Sequence, residues 1–216
     1  MIGLGAMGAG MAQSLRRAGH HVHVHDIRPE AAAAFAAEGG TACATLADMA
    51  AACRIVVSVV VNAQQTEAVL FGEGGIAPAL QPGSVFVMCS TVDPNWSVAL
   101  EAKLQAQGVH YIDAPISGGA AKAASGQMTM MTAGRPEAYA ACEGVLDAMA
   151  AKVYRLGSSA GAGSKVKIIN QLLAGVHIAA AAEAMALGLR EGVDAAALYE
   201  VITHSAGNSW MFENRM

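Results

Sequence analysis

Short apolar runs alternate with alanine-rich stretches of helical spacing over the first 160 residues of the chain. We predict strands at 22–26, 55–61, 85–89 and 109–113, with further strands at 126–134 and 153–156. We predict helices at 6–18, 29–38, 64–70, 94–107 and 136–149, three of them with a proline in the first turn. Strands and helices that alternate in this way form right-handed βαβ units. The pattern therefore predicts an α/β fold, a doubly wound and mostly parallel sheet with helices on both faces.

The pattern changes after residue 156. Residues 157–163 are rich in glycine, serine and alanine, which is typical of a flexible linker. Residues 164–191 then form one predicted helix, apolar nearly all round and, at 1.5 Å per residue, about 40 Å long. A helix that is apolar on every side must be enclosed by others, but only one further helix, 194–204, is predicted. We expect two domains, 1–160 and 164–216, the second being the start of an all-helical domain that is truncated or covered by a partner subunit.

The start of the chain is also short for the predicted sheet. Only Met1 and Ile2 precede the first glycine, whereas a strand in the middle of such a sheet has about five residues. We therefore expect the chain to be truncated at both ends, so that the natural protein has a mass above 21.9 kDa.

The segment 168–189 is long and apolar enough to span a bilayer, which requires roughly 20 residues. Asn170, Gln171, His177 and Glu183 interrupt it, and each of these side chains is costly in hydrocarbon. We therefore predict a buried helix of a water-soluble protein.

Composition excludes several classes of partner. The chain has 216 residues, 54% hydrophobic and 14% charged, which is ample for a packed core and incompatible with disorder. A net charge of −4 without clusters of lysine and arginine argues against nucleic acid or an anionic membrane surface as a partner. The four cysteines form no C-x-x-C pair and are typical of reduced, mostly buried residues. With no secretory signal in the first residues, we expect a cytoplasmic protein.

A glycine-rich turn opens the chain, with the pattern G-x-G-x-x-G at Gly3, Gly5 and Gly8 around Ala6 and Met7. The first glycine permits a tight turn out of a strand, the second lets the backbone approach a pyrophosphate, and the third lets the following helix pack against the sheet. That helix directs its free N–H groups at the diphosphate. Such a turn before a helix and an acid-terminated strand predicts a Rossmann-type dinucleotide site, although a chance glycine turn is the alternative.

Asp26 ends the predicted strand 22–26, where an acid can accept hydrogen bonds from the adenosine ribose hydroxyls. Its carboxylate would repel the 2′-phosphate of NADP, since like charges about 4 Å apart cost about 1 kcal/mol in water and more near protein. We therefore expect NAD as the cofactor, although the nearby Arg28 is also compatible with the use of NADP. The alternative is that Asp26 caps the helix that begins at Pro29.

Three motifs together resemble the β-hydroxyacid dehydrogenase family, which includes 3-hydroxyisobutyrate dehydrogenases and tartronate semialdehyde reductases. They are Gly-Leu-Gly-Ala-Met-Gly-Ala-Gly-Met-Ala at 3–12, Asp-Ala-Pro-Ile-Ser-Gly-Gly at 113–119 and Gly-Ala-Gly-Ser-Lys-Val-Lys-Ile-Ile-Asn at 161–170. The resemblance implies a cofactor site, a substrate loop and a catalytic lysine, in that order. The uncovered apolar helix at 164–191, for its part, predicts a homodimer or a higher homo-oligomer. The resemblance also implies that Val60, Val61 and Thr91 border the nicotinamide half of NAD, although Thr91 could simply be a turn or capping residue.

Lys167 is the predicted general acid/base. An amine that removes a hydroxyl proton must itself be neutral, and burial in an apolar cleft near a helix start lowers the pKa of a lysine toward neutrality. Asn170 and Gln171, three and four residues later, share its helical face and can hold the substrate. The alternative for Lys167 is an ordinary surface lysine, which we expect for Lys165.

The turn Ser117, Gly118 and Gly119 is suited to a substrate carboxylate, because its backbone N–H groups can form an anion nest and the serine adds a hydroxyl. It could instead be only a tight turn after a strand. The family usually carries Asn-Asn where this chain has Asn170-Gln171, so the substrate cannot be copied from its best-known members.

Segments 61–65, 167–188 and 206–215 resemble the branch of the family that oxidises L-threonate. This resemblance implies NAD-dependent oxidation of a four-carbon sugar acid at C2 to the 2-oxo acid. A 3-hydroxyisobutyrate or tartronate semialdehyde enzyme remains the alternative, as does a non-catalytic NAD-binding fragment. His21, His23 and His25 alternate along a strand in the manner of metal ligands, but we expect them to pack or hydrogen-bond and predict no metal.

Overall fold

The computed structural model describes the main chain of residues 1–216 and every side chain except that of residue 143. The chain divides into two compact units, Met1–Lys167 and Ile168–Met216.

The first unit contains eight strands. They are β1 His23–Val24, β2 Thr41–Ala42, β3 Ile55–Ser58, β4 Val85–Met88, β5 His110–Asp113, β6 Ile116–Ser117, β7 Met128–Gly134 and β8 Ala150–Arg155. Its helices are α1 Gly8–Arg17, α2 Pro29–Ala37, α3 Leu46–Ala52, α4 Ala63–Phe71, α5 Pro94–Gln105, α6 Gly119–Ser125 and α7 Pro136–Met149, and α8 Ala162–Arg190 begins here and continues through the second unit. The α/β prediction is confirmed, and Pro29, Pro94 and Pro136 each lie in a first helical turn.

Residues 1–2 join two sets of parallel strands into one layer. The Ile2 amide donates to the carbonyl oxygen of Val57 at 2.8 Å, and the His25 amide donates to that of Met1 at 3.0 Å. The order across the layer is therefore β2, β1, residues 1–2, β3, β4 and β5. Strands β1 and β2 add on one side of residues 1–2, and β3, β4 and β5 then add on the other side. This reversal of strand order is the switch point where a doubly wound sheet opens a crevice.

The far edge of the sheet is antiparallel. Strand β7 pairs antiparallel with β5 and with β6, and β8 continues parallel to β7. The β5 and β6 strands pair with successive parts of β7, and the Met131 amide donates to the carbonyl oxygen of Pro115 between them at 3.0 Å. The sheet is thus mostly parallel, as expected, with a reversed edge.

Alternating side chains of the central strands build a core on each face of the sheet. Val85 and Val87 belong to the cluster that contains α1, whereas Phe86 and Met88 belong to the cluster that contains α5. Helices therefore cover both faces, as the pattern predicts.

The predicted flexible linker at 157–163 is wrong in its second half. Ala160 and Gly161 are buried, and α8 already begins at Ala162. The small residues serve close packing here rather than flexibility: a Cβ on Gly163 would overlap the carbonyl oxygen of Met131 and lie 2.9 Å from that of Asp113.

The second unit consists of the rest of α8 with α9 Ala195–Thr203 and α10 Trp210–Arg215. A Cβ on Gly188 would overlap the side chain of Leu198, so α8 and α9 pack closely, and the rings of Tyr199 and Phe212 stack with centroids 5.7 Å apart. The α10 helix was not predicted.

Most of α8 is exposed in this single chain, in keeping with the expectation that too few helices follow to cover it, and its burial by a further surface stays a prediction. Leu172 and Leu173 are 67% and 54% exposed. By length and composition α8 could cross a membrane, and 11% of its most apolar stretch is buried. The two short helices of the second unit leave this apolar surface uncovered.

Candidate active site

The three glycines of the opening turn have different surroundings. Gly3 adopts a φ of +87°, and a Cβ on it would overlap the carbonyl oxygen of Val59. A Cβ on Gly8 would overlap the carbonyl oxygen of Gly3, which brings the start of α1 against the turn. A Cβ on Gly5 would meet nothing within 4 Å. The turn is therefore closed by two glycines and left open on its outer side by the third.

Asp26 binds back to this turn. Its Oδ2 accepts a hydrogen bond from the Leu4 amide at 2.6 Å, and its Oδ1 accepts from the Arg28 amide at 2.9 Å and from the Arg28 Nε at 3.2 Å. Burial raises the pKa of the Asp26 carboxyl, but these hydrogen bonds from Leu4 and Arg28 outweigh it, and the net pKa is lowered. The side chain is thus an ionised carboxylate held at the mouth of the turn. The alternative role as a cap of α2 receives no support, because Arg28 is the capping residue.

A cavity of about 610 Å³ lies at the carboxyl ends of the strands beside this turn. Five predicted cofactor residues line it, namely Gly3, Gly5, Asp26, Val60 and Val61. Ala6, Met7 and Gly8 are outside the lining and form the entry to α1, with Met7 at its N-terminal cap.

Several cavity residues were missed by the sequence reasoning, among them Gln65 on α4 and Glu73 just after that helix. The Gln65 side-chain oxygen accepts a hydrogen bond from the Val61 amide at 2.8 Å, and Asn62 caps the helix by accepting from the Gln65 amide at 2.9 Å. An asparagine before a helical pattern is a recognised start signal, so this cap could have been predicted.

A buried serine joins the ends of β3 and β4. The Ser90 hydroxyl donates to the carbonyl oxygen of Val60 at 2.8 Å and lies 3.2 Å from the hydroxyl of Thr66. Thr91 follows it at an exposed position on the same edge of the sheet. The structure thereby brings Val60, Val61 and Thr91 to one edge.

The turn Ser117–Gly119 leads from β6 into α6. Gly118 and Gly119 have φ values of +143° and +80°, which explains why glycine occupies both positions. The α6 helix is held against α1: a Cβ on Gly10 would lie 2.6 Å from the Ala124 amide nitrogen, and the Ser14 hydroxyl donates to the carbonyl oxygen of Ala123 at 3.3 Å. The dinucleotide helix therefore supports the element that follows this turn.

Lys167 is buried in the second turn of α8, whereas Lys165 is exposed. Burial lowers the pKa of the Lys167 amine below the ordinary lysine range. Asn170 is half-buried and Gln171 is exposed, and both belong to the second unit. Lys167 and Ser117–Gly119 are not part of the 610 Å³ cavity lining.

Two of the three strand histidines form local contacts. The His25 Nδ1 lies 3.1 Å from the carbonyl oxygen of Cys43, and the His23 Nδ1 lies 3.8 Å from the Cys43 Sγ, whereas His21 is exposed. Among the described side chains no group of three histidine, cysteine or carboxylate residues could hold a metal. The four cysteines are free, and Cys53 alone is not fully buried.

A glycine turn, a strand-terminal acid and a crevice at the switch point define a dinucleotide-binding protein of the Rossmann class. Comparison with known proteins supports this class. Residues 1–157 match the family model described as the NAD binding domain of 6-phosphogluconate dehydrogenase. Residues 161–216 match the model described as NAD-binding of NADP-dependent 3-hydroxyisobutyrate dehydrogenase.

Known proteins are similar over the whole chain. The L-threonate dehydrogenase of Cupriavidus necator is 65% identical, covering 100% of this chain and 73% of that protein. The L-threonate dehydrogenase of Haemophilus influenzae is 48% identical, covering 100% and 72%. A solved structure of 3-hydroxyisobutyrate dehydrogenase from Salmonella typhimurium has a TM-score of 0.94 at 49% identity, covering 100% and 75%. The chain therefore belongs to the β-hydroxyacid dehydrogenase family, and it is an NAD-dependent oxidoreductase that acts on a hydroxy acid.

Proposed function

We propose that the protein oxidises L-threonate with NAD at C2 to the 2-oxo acid, with Lys167 as the general acid/base. The observation that carries the chemistry is a buried lysine with a lowered pKa in the second turn of α8. The substrate is proposed from the two relatives named L-threonate dehydrogenase, at 65% and 48% identity.

The cofactor residues proposed are Gly3, Gly5, Ala6, Met7, Gly8, Asp26, Val60, Val61 and Thr91. The crevice fits a dinucleotide, because Gly5 leaves room for a pyrophosphate and the ionised Asp26 faces the cavity where ribose hydroxyls would donate to it. The same charge disfavours a 2′-phosphate, so NAD is preferred over NADP. When bound, NAD accepts the hydride from the substrate carbon.

The remaining chemistry belongs to the side chains and to the substrate turn. The neutral Lys167 amine takes the proton of the substrate hydroxyl in oxidation and returns it in reduction. Ser117, Gly118 and Gly119 bind the substrate carboxylate through their N–H groups and the serine hydroxyl. Asn170 and Gln171 hold the hydroxyl or carboxylate of the substrate, and the longer amide of Gln171 gives the pocket a shape different from that of members with Asn-Asn.

Residues 1–160 are the proposed NAD-binding domain, and residues 164–216 belong to a proposed helical domain for substrate binding and dimerisation. The family models, which change between residues 157 and 161, support this division. The uncovered apolar surface of α8 favours a homodimer or higher homo-oligomer, because Asn170, Gln171, His177 and Glu183 make a bilayer unfavourable. A cytoplasmic location without a nucleic-acid partner fits the composition. A monomeric mass in solution, or sedimentation with lipid vesicles, would refute this assembly.

The test follows NADH formation at mildly alkaline pH with NAD and L-threonate, D-erythronate, 3-hydroxyisobutyrate or D-glycerate. We expect turnover on L-threonate above the other acids. Turnover on 3-hydroxyisobutyrate or D-glycerate instead would reject the proposed substrate within the same family. NADH binding without turnover on any acid would support the non-catalytic alternative.

A further inference from the structure

The carboxylate of Asp113 is a fully buried acid outside the proposed catalytic residues. It ends β5 and accepts three hydrogen bonds from one short segment: from the Gly161 amide at 2.9 Å, the Ser164 amide at 2.9 Å and the Ser164 hydroxyl at 2.7 Å. Burial raises the pKa of Asp113, and the hydrogen bonds from Ser164 and Gly161 oppose that rise. A buried carboxylate that accepts these three hydrogen bonds from Gly161 and Ser164, at the start of α8, anchors that helix to the sheet.

Other contacts hold the same segment. The Ala160 amide donates to the Glu101 carboxylate at 3.1 Å, and the glycine at 163 lets the helix approach the backbone of β5 and β7. We call residues 160–164 with Asp113 and Glu101 the α8 anchor. Because the anchor contacts α5, β5 and β7, the position of the start of α8 is fixed by the sheet and by α5, and not by contacts within α8.

Lys167 follows Ser164 by three residues, so both lie on one face of α8. Among the residues that the structure describes, the Lys167 ammonium has no hydrogen bond or ion pair that would hold it in place. Its location therefore depends on the backbone of α8 and on packing around its stem. A shift of the anchored turn would move Lys167 with it.

We propose that Asp113 is a positioning residue for the reaction, which fixes Lys167 by anchoring the first turn of α8. The inference rests on the proposed role of Lys167. The role of Asp113 differs from that of an ordinary helix cap, because the loss of a cap lowers stability without displacing a catalytic side chain. A misplacement of about 1 Å at a reacting group can lower a rate by about 100-fold.

The test compares three variants. Asp113→Asn keeps the shape of the side chain but places an amide NH₂ group among the three N–H and O–H donors of Gly161 and Ser164. Ser164→Ala removes the hydroxyl that donates one of the three hydrogen bonds to Asp113. Tyr139→Phe is the matched control, since it removes a buried hydrogen bond of 2.8 Å to the Thr132 hydroxyl outside the anchor. Melting temperature, the NADH dissociation constant, and kcat and KM for the hydroxy acid are measured for each.

An NMR measurement reports the environment of the Lys167 side chain directly. The chain has five lysines, so lysine labelled with ¹³C at Cε gives few signals, and Lys167→Arg assigns the relevant one. In Asp113→Asn we expect the Lys167 signal to shift and kcat to fall at least about 10-fold, with KM and NADH affinity within about 3-fold. Ser164→Ala should give smaller changes in the same direction, and Tyr139→Phe should give neither.

An unmoved Lys167 signal with wild-type kcat in Asp113→Asn would overturn the proposal. So would an equal loss of kcat and an equal signal shift in Tyr139→Phe, because that result would reflect general destabilisation. If the wild-type protein turned over no hydroxy acid but Asp113→Asn still moved the Lys167 signal, the proposed function would fail while the link between Asp113 and Lys167 would stand.

Discussion

The opening turn allows stability and cofactor binding to be separated with two equal substitutions. Gly5→Ala and Gly8→Ala each add one methyl group to the same loop. The added Cβ meets nothing within 4 Å at position 5, whereas at position 8 it overlaps the carbonyl oxygen of Gly3 and lies 3.0 Å from its carbonyl carbon. The first change therefore affects only what enters the cavity, and the second affects the fold.

The magnitudes follow from these contacts. Forcing a methyl group into a packed site costs about 1–3 kcal/mol, and each kcal/mol lowers Tm by about 2–4 °C in a chain of this size. Gly8→Ala should therefore lower Tm by about 2–12 °C. Gly5→Ala should leave Tm unchanged or raise it slightly, because alanine reduces the entropy of the unfolded chain. The same 1–3 kcal/mol directed against a pyrophosphate should weaken NADH binding by Gly5→Ala about 5- to 160-fold.

The assay pairs thermal unfolding without cofactor with a fluorescence titration of NADH. Gly19→Ala serves as a control for a glycine outside the turn: its Cβ also meets nothing, but its φ of +89° costs stability without affecting NADH. The reasoning would be refuted if Gly5→Ala bound NADH as the wild type does. It would also be refuted if Gly5→Ala lost as much stability as Gly8→Ala.

Three further predictions concern the charged residues. Lys167→Ala should abolish turnover while the affinity for NADH stays within a few-fold. The control Lys165→Ala changes an exposed lysine and should retain turnover. Loss of NADH binding in Lys167→Ala would show that the role of Lys167 is misassigned. Since burial lowers the pKa of Lys167, the oxidation rate should rise with pH through a midpoint below the ordinary lysine pKa of about 10.4. A pH–rate profile with its midpoint at or above that value would contradict this prediction. Asp26→Ala should reduce the preference for NAD over NADP at least about 5-fold. The substitution removes about 1 kcal/mol or more of repulsion between the carboxylate and the 2′-phosphate of NADP, and it leaves Arg28 at the mouth of the glycine turn. An unchanged ratio of the kcat/KM values for NAD and NADP would argue against the ribose contact.

Much of the cofactor half could be predicted because its signals are local. A glycine that must adopt positive φ, a proline in a first helical turn and an acid at a strand end each act within a few residues. The short helices α3 and α6 were missed, because their alanine-rich segments lack a strong hydrophobic period. The capping box of α3, in which Thr45 and Asp48 bond reciprocally, is a local signal that could have identified that helix.

The sequence by itself determined the alternation of strands and helices and the opening turn, since period and residue type carry that information along the chain. The lysine candidate came from the resemblance of residues 161–170 to a family motif. Only the tertiary structure decided which glycine faces open space, that residues 157–163 end in an anchored turn, and that Asp113 binds the start of α8. Asp113 and Ser164 are 51 residues apart. A contact between residues so distant in the chain depends on the register of β5 and β7 in the sheet, which no local pattern encodes.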